Sequence, residues 1–442
     1  MAETTRRPNI LYLHSHDTGR YVQPYGHAIP TPSLQRLAEE GVLFRQAFSA
    51  APTCSPSRAA LLTGQSPHSS GMLGLAHRGF RLNNYQQHLV HTLRRAGYAS
   101  TLVGMQHVAE DPSWIGYDRI LATADRNAAS VAPAAAAFLA SAPAEPFFLD
   151  VGFFETHRDF PEPGADEDAR YVRPPAPLPD TPETRADMAA YQASARLLDA
   201  GIGAVLDALD AAGLAENTLV ICTTDHGLAF PGMKCSLTDH GIGVMLLMRG
   251  PAGFSGGRLI EAMVSQIDLF PTLTEILAVD PPPWLQGTSM MPLIREEREQ
   301  INDAIFAEVT YHAAYEPQRA IRTERWKYIR RFGERELPVL PNVDDSPSKD
   351  VWLRHGGRQR PIAREQLYDL VFDPHEAHNL MAHAEMAETL TGLRRRLDQW
   401  MHETNDPLLH GPIPPPAGVD LLHDPDGLSP RDPLTPVRDL GG

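Results

Sequence analysis

The chain has 442 residues, of which 42% are hydrophobic, and its 39 lysines and arginines against 55 aspartates and glutamates give a formal net charge of −16. This length predicts two or three packing units, and the acidic balance argues against nucleic acid and anionic membranes as partners. The sequence has no apolar run of about eighteen residues, so no membrane helix is expected. Its three cysteines favour a reducing compartment. The polar start at residues 1–8 shows no leader pattern, so a cytoplasmic location is expected.

Short apolar runs alternate with helical patterns through the first 300 residues. A capped helix is predicted to begin at 31–33. Strands are predicted at 9–13, 100–103, 147–153, 217–223 and 243–248, and further helices at 57–63, 89–96, 185–212 and 265–277. Strands that are apolar throughout and alternate with helices are typical of an α/β fold, with a mostly parallel sheet covered by helices on both faces.

The pattern changes beyond residue 300. Antiparallel strands are predicted at 304–308, 320–323, 326–331 and 364–370, followed by a terminal helix at 385–402. We therefore expect a catalytic domain at 1–300 and a smaller α+β subdomain with an antiparallel sheet at 301–410. Residues 411–442, rich in proline and aspartate, are expected to drape over the surface or to be disordered.

Polar side chains follow four of the predicted strands directly. They are Asp17, His107, His157 and the pair Asp225-His226. Ligands in open α/β sheets bind at the carboxyl ends of the strands, so these residues are expected to meet in one place. Two carboxylates and an imidazole brought together need a cation to be stable, which makes Asp17, Asp225 and His226 a candidate metal site.

Residues 54–64 read CSPSRAALLTG, the most informative run of the chain. It resembles the signature of type I sulfatases, in which the cysteine is oxidised to formylglycine and the hydrated aldehyde attacks sulfur. Arg58 lies one helical turn after Cys54 on the same face, where a guanidinium can hold the hydrate and an anion. The resemblance implies an alkaline-phosphatase-like (sulfatase) fold, formylglycine at residue 54, and a formylglycine-generating or equivalent maturation enzyme as partner.

The resemblance also implies a metal centre made by His16, Asp17, Asp225, His226 and residue 54. One divalent ion is expected there, calcium by resemblance, while imidazole ligands keep manganese open. The family carries Asp-Asp after the first strand, where this chain has His16-Asp17. His16 is therefore either a replacement ligand or a packed histidine beside His14.

Three further residues match positions that the family uses in catalysis. By resemblance, His107 takes a proton when sulfate is released, His157 acts as donor or general acid at the leaving group, and Lys234 clamps sulfate. A neutral imidazole suits both histidine roles near pH 7. The family's Gly-Lys-x-His motif reads Gly-Met-Gln-His here, so Met105 stands where a lysine is usual.

Beyond the signature, the chain is most similar to the sulfamidase (heparan N-sulfatase) branch. The runs that carry this similarity are 71–75, 308–310, 316–319, 367–369, 373–376 and 400–407. We expect metal-dependent hydrolysis of sulfate esters or sulfamates on a small sulfated sugar, and the sequence leaves a homo-oligomer open. The departures at His16 and Met105 keep two alternatives. One is a phosphonate monoester hydrolase or phosphodiesterase with the same machinery, and the other is a catalytically weak binding protein on the same fold.

Overall fold

The computed structural model describes residues 7–437, so the expectations for residues 1–6 and 438–442 lie outside it. The first nine strands are β1 (Asn9–Ser15), β2 (Val42–Phe48), β3 (Ala99–Gly104), β4 (Arg119–Leu121), β5 (Phe147–Gly152), β6 (Thr218–Thr224), β7 (Gly243–Val244), β8 (Leu246–Arg249) and β9 (Arg258–Ser265). The helices among and after them are α1 (Pro32–Glu40), α2 (Cys54–Thr63), α3 (Pro67–Ser70), α4 (Leu89–Arg95), α5 (Ala128–Ala140), α6 (Pro182–Ala211), α7 (Asp239–Ile242), α8 (Leu269–Ile276) and α9 (Met291–Ile294). Within the described residues, no helix has both the length and the apolar character needed to cross a bilayer.

These nine strands form one sheet in the order β4-β3-β5-β1-β6-β8-β2-β7, with β9 alongside β2. Strands β4, β3, β5, β1 and β6 run parallel to one another. Strand β8 is antiparallel to both β6 and β2. The mostly parallel sheet predicted from the sequence is confirmed.

The core lies on both faces of this sheet. In β1, Ile10 and Tyr12 point to one face and Leu11 and Leu13 to the other, because successive side chains of a strand alternate. Helices α2, α4 and α8 cover the first face, and α1, α5 and α6 cover the second. Burial on both sides explains why the strands read as continuous apolar runs.

Three of the longer elements of this domain, β2, β9 and α5, were not predicted from the sequence, and one predicted strand was misplaced. In β2, Arg45 and Gln46 interrupt the apolar run, and β9 is half-exposed along its first residues. Helix α5 is rich in alanine and holds Pro133 inside it, which hides its period. The single strand predicted at 243–248 is wrong: it is two strands separated at Met245, whose backbone N–H donates to Gly19 rather than to a neighbouring strand.

A second, antiparallel sheet follows. It contains β10 (Ile305–Tyr311), β11 (Tyr315–Arg322), β12 (Trp326–Arg331) and β13 (Glu365–Asp369) in that order. Helix α11 (Ala387–Glu403) packs against β11 and β12, whereas α10 (Pro347–Arg354) contacts α6. The predicted antiparallel sheet is confirmed. Its inner side chains share a core with those of β2 and β9, so the boundary at residue 300 stays a prediction. Residues 411–437 contain one short strand pair, β14 (Leu421–Leu422) with β15 (Thr435–Pro436).

Candidate active site

Four neighbouring parallel strands carry the predicted site residues at one edge of the large sheet. His107 follows β3, His157 follows β5, His16 and Asp17 follow β1, and Asp225 and His226 follow β6. The sequence predicted that these constellations would meet, and the structure brings them together. The parallel arrangement is the physical reason, because it places all four carboxyl ends on the same side.

The backbone at this edge adopts conformations that few residues tolerate. Asp17 and His107 have φ values of 51° and 59°, in the left-handed region that is uncommon for residues other than glycine. Gly227 is required by close approach, since a Cβ there would lie 1.8 Å from the carbonyl oxygen of His240. Such strain, held by the surrounding fold, is typical of functional sites.

Cys54 is the first residue of α2 and is only 2% exposed. Its Sγ lies 3.3 Å from Nε2 of His226. Burial raises the pKa of the Cys54 thiol well above its ordinary value, although Lys234 opposes the rise. Without a bound cation, the unmodified thiol is therefore neutral and a poor nucleophile, because the thiolate is the reactive form.

Cys54 belongs to a buried group of metal-type donors. One donor atom from each of His16, Asp17, Cys54 and Asp225 lies within 4.8 Å of the other three. Nε2 of His16 is buried without a hydrogen-bond partner, and its Nδ1 lies 3.2 Å from Oδ2 of Asp225. Unpartnered buried polar atoms are costly, and carboxylate and imidazole donors suit a divalent cation. The donor set therefore fits the metal ion that the sequence implied.

His226 and Asp225 complete this group from the end of β6. Nε2 of His226 lies 3.2 Å from Oδ1 of Asp17. Oδ1 of Asp225 accepts from the backbone N–H groups of Asp17 and His226, both at 2.9 Å. Burial acts to raise the pKa of Asp225, but His226 and Arg58 hold it well below its ordinary value. Asp225 is thus a carboxylate anion in the folded protein.

Arg58 lies behind Asp225. Its Nη2 donates to Oδ2 of Asp225 at 3.0 Å and to the carbonyl oxygen of Ser15 at 2.7 Å, and its Nη1 donates to Nδ1 of His14. Its Nε has no hydrogen-bond partner. The guanidinium is therefore held by three groups of the protein, one of them Asp225. The contact with a hydrate and an anion, predicted from the sequence, stays a prediction.

A buried chain of side chains that sequence reasoning missed orients Arg58. A guanidinium can only donate, so Nδ1 of His14 accepts and its Nε2–H donates to Oδ1 of Asp150 at 2.8 Å. Tyr117 donates to the other oxygen of Asp150. The sequence signal was the presence of His14 and Asp150 within otherwise mostly apolar strands.

Lys234 contacts the carboxylate oxygen of Asp17 that does not face His226. Its Nζ is 3.0 Å from Oδ2 of Asp17 and 3.2 Å from Oδ2 of Asp344. Burial lowers the pKa of Lys234, but these two carboxylates outweigh it and raise the pKa well above its ordinary value. Asp344 comes from the loop between β12 and α10. No motif pointed to it, because only the packing of the second sheet brings that loop here.

We expect Asp344→Asn to lower the free energy of unfolding by about 2 kcal/mol, the scale of a hydrogen bond to a charged group. The reason is that the buried Lys234 ammonium loses one of its two carboxylates. Urea unfolding at pH 7 measures the change. Asp345→Asn is the matched control, and it is expected to cost less than about 1 kcal/mol, because Lys349 keeps its backbone acceptors. Equal losses in the two variants would contradict the assignment.

His107 and His157 flank His16 at the mouth of the site, with ring centroids 5.9 and 5.7 Å from that of His16. Burial, with His16 and His77 nearby, lowers the pKa of His107 well below its ordinary value. Nδ1 of His157 lies 2.5 Å from the carbonyl oxygen of Arg158, so it carries a proton and Nε2 is free to exchange one. The rings line a cavity of about 300 Å³ with Met105, Gln106, Arg126 and Phe154.

A candidate nucleophile position at a helix start, next to a carboxylate and imidazole centre, defines a hydrolase of anionic esters. Residues 8–279 match the family model described as Sulfatase, and residues 233–350 match the model described as N-sulphoglucosamine sulphohydrolase, C-terminal. The chain therefore belongs to the sulfatase family, hydrolases that act on sulfate esters or sulfamates. Members of this family generally use a metal ion and formylglycine.

The chain is similar in sequence and in fold to known proteins of this kind. The chain is 29% identical to N-sulphoglucosamine sulphohydrolase of Homo sapiens, over 92% of either protein. Its structure resembles that of a 2-O GAG sulfatase with a TM-score of 0.71 and 20% identity, over 96% of this chain and 99% of that chain. It also resembles the phosphonate monoester hydrolase of Agrobacterium radiobacter, with a TM-score of 0.68 and 21% identity, over 90% and 96% of the two chains. At these identities the structural matches establish the fold.

Proposed function

We propose that this protein hydrolyses a sulfate ester or sulfamate on a small amino sugar, with formylglycine at residue 54. The observation that carries the proposal is the position of Cys54, buried at the start of α2 with its donor atom among those of His16, Asp17 and Asp225. Formylglycine supplies, as its hydrate, an oxygen nucleophile for sulfur and a second hydroxyl whose deprotonation releases sulfate. The thiol sulfur of Cys54 marks where that chemistry takes place.

The surrounding side chains have distinct tasks in this proposal. Lys234, held between two carboxylates, offers a cation to a sulfate oxygen. His157 delivers a proton from Nε2 to the departing oxygen or nitrogen, since Nδ1 is held by a backbone carbonyl. His107 accepts the proton that must leave residue 54. Arg58 keeps Asp225 ionised and in place.

The cavity supports a small substrate. Its volume of about 300 Å³ lies at the lower end of the range for ligand pockets, which favours a terminal monosaccharide over the interior of a chain. The identity to human N-sulphoglucosamine sulphohydrolase and the matching C-terminal model favour N-sulfated glucosamine among such sugars. We propose that the substrate is an anionic sugar of this kind.

The metal proposed for this site is one divalent ion held by His16, Asp17, Asp225, His226 and residue 54. Resemblance favours calcium, and the imidazole donors, which are softer than oxygen, keep manganese open. The buried Nε2 of His16, which has no hydrogen-bond partner, supports its role as a ligand rather than a packed histidine. Metal analysis of purified protein distinguishes the two ions.

Cys54 lies in a helix that is buried along its whole length. All ten residues of this helix are buried, so a modifying enzyme has no access to Cys54 in the folded chain. We therefore propose that the maturation enzyme acts on the segment before it folds. Expression with and without such an enzyme, followed by mass analysis of the tryptic peptide, tests this.

The test of function is sulfate release by protein with a verified aldehyde. The substrates are N-sulfoglucosamine, glucosamine 6-O-sulfate, an aryl sulfate and an aryl phosphonate monoester. Preferential hydrolysis of N-sulfoglucosamine supports the proposal. Cleavage of the phosphonate far faster than any sulfate would show that the sulfohydrolase assignment is wrong.

The phosphonate or phosphodiester alternative has one observation in its favour. Met105 is 6% exposed and brings no cation to the cavity, whereas sulfatases commonly carry lysine at this position. The substrate panel decides between the two activities. Turnover of any substrate in it would exclude the third hypothesis, a binding protein without catalysis.

A further inference from the structure

His77 contacts His107 at the mouth of the site, and no motif in the sequence predicted this. Nδ1 of His77 lies 3.0 Å from Nε2 of His107. The two rings are stacked, with centroids 5.2 Å apart and planes 11° apart. A nitrogen-to-nitrogen hydrogen bond requires one donor and one acceptor, so this contact limits where the proton of His107 resides.

The two ring nitrogens of His107 have different environments. Nε2 faces His77, while Nδ1 is buried without a hydrogen-bond partner. A ring nitrogen of His107 also lies within 4.8 Å of a nitrogen of His16 and of Sγ of Cys54. Since Nε2 is engaged by His77, Nδ1 is the nitrogen left to act on residue 54.

Side-chain hydrogen bonds hold the backbone near both His77 and His107. His77 lies in the 3-10 turn Ala76–Arg78, and the N–H of Ala76 donates to Oγ of Ser55, the residue after the nucleophile position. The side-chain oxygen of Gln106 accepts from the two backbone N–H groups that follow His107. The relative position of the two rings is thus tied to the start of α2.

We propose that His77 is a positioning residue that accepts the Nε2–H of His107, which leaves the Nδ1 lone pair of His107 directed at residue 54. This role rests on the proposed function. In the step it serves, a proton moves from a hydroxyl at residue 54 to Nδ1, and the O–H electron pair stays on oxygen. The Nε2–H bond to His77 fixes the tautomer and orientation of the base, as second partners of catalytic histidines do.

Met105 leaves the ring of His107 without a neighbouring lysine at the usual position. Because no lysine reaches the cavity from that position, orientation of the base depends on the contacts that remain, and His77 supplies the side-chain hydrogen bond to its ring. His77 is itself exposed, so replacing it leaves no cavity in the core. We therefore expect His77 variants to stay folded, so that a loss of activity reports on the role of the side chain.

The first experiment is independent of turnover. Nitrogen-15 spectra of histidine side chains are recorded on the Cys54→Ala protein, which carries no formylglycine. We expect His107 to be protonated on Nε2, His77 to be unprotonated on Nδ1, and the protected Nε2–H signal to vanish in His77→Ala. A proton on Nδ1 of His107, or an Nε2–H signal that persists without His77, would overturn the proposal even if every substrate assignment were wrong.

The second experiment separates the hydrogen bond from the stacked ring. His77→Phe keeps a ring without an acceptor, and His77→Asn keeps an acceptor without the ring. We expect His77→Phe to lower kcat roughly 10- to 100-fold, part of what a positioned general base contributes, with KM changed less than about threefold. His77→Asn should retain most of kcat.

The control is His383→Ala, which removes another exposed histidine with one side-chain hydrogen bond, to Glu385, and is expected to leave kcat unchanged. If His77→Phe instead raised KM and left kcat intact, His77 would be a substrate contact and the positioning role would be refuted.

Discussion

Replacing Cys54 with alanine is expected to abolish hydrolysis, with a loss of kcat of about 10⁴-fold or more, as for removal of a covalent nucleophile. The reason is geometric as well as chemical. Residue 54 is the one member of the buried donor group that can be converted to a hydrated aldehyde, and an alanine methyl offers no oxygen. Sulfate release from the substrate panel measures the loss.

The same residue has a signature that does not depend on activity. Correctly matured protein should show the peptide that contains residue 54 about 18 Da lighter than its cysteine form. Cys222 provides the matched control, because it is also buried, in β6, but its side chain belongs to the apolar core. Cys222→Ala should keep both the mass difference and turnover. An active Cys54→Ala protein would refute the assigned nucleophile.

Replacing Asp225 with asparagine is expected to remove the metal and to destabilise the metal-free protein by about 3 kcal/mol. The carboxylate of Asp225 lies among the proposed metal donors and is also the anion that faces Arg58. Asparagine has nearly the same shape but leaves the buried guanidinium without a counter-charge. Metal content of purified protein and urea unfolding in excess chelator measure the two effects separately.

Asp17→Asn is the comparison for Asp225→Asn. It removes another proposed metal ligand, yet Lys234 keeps Asp344 as an anionic partner. We therefore expect Asp17→Asn to lose the metal with a smaller loss of metal-free stability. If Asp225→Asn retained metal at the wild-type level, Asp225 would not be a ligand, and equal destabilisation by both variants would contradict the pairing with Arg58.

Most strands of the large sheet could be predicted from the sequence, because each is marked by a local run of apolar residues. The buried parallel strands β1, β3, β5 and β6 appear as mostly apolar runs. Strand β2 was missed although it pairs with three other strands, because two polar residues on its partly exposed stretch break the apolar run. Helix α5 was missed because alanine, which suits a helix, leaves little contrast between its faces.

The sequence by itself determined which chemical groups the site contains and that they would meet. The run at 54–64 and the polar residues after four parallel strands are local features, and the carboxyl ends of such strands share one edge. Only the tertiary structure decided which side chains form hydrogen bonds or ion pairs with these groups. Asp150 behind His14, Asp344 beside Lys234 and His77 on His107 pair residues far apart along the chain. Such pairings depend on strand register and loop packing, which leave no periodic trace in a single sequence.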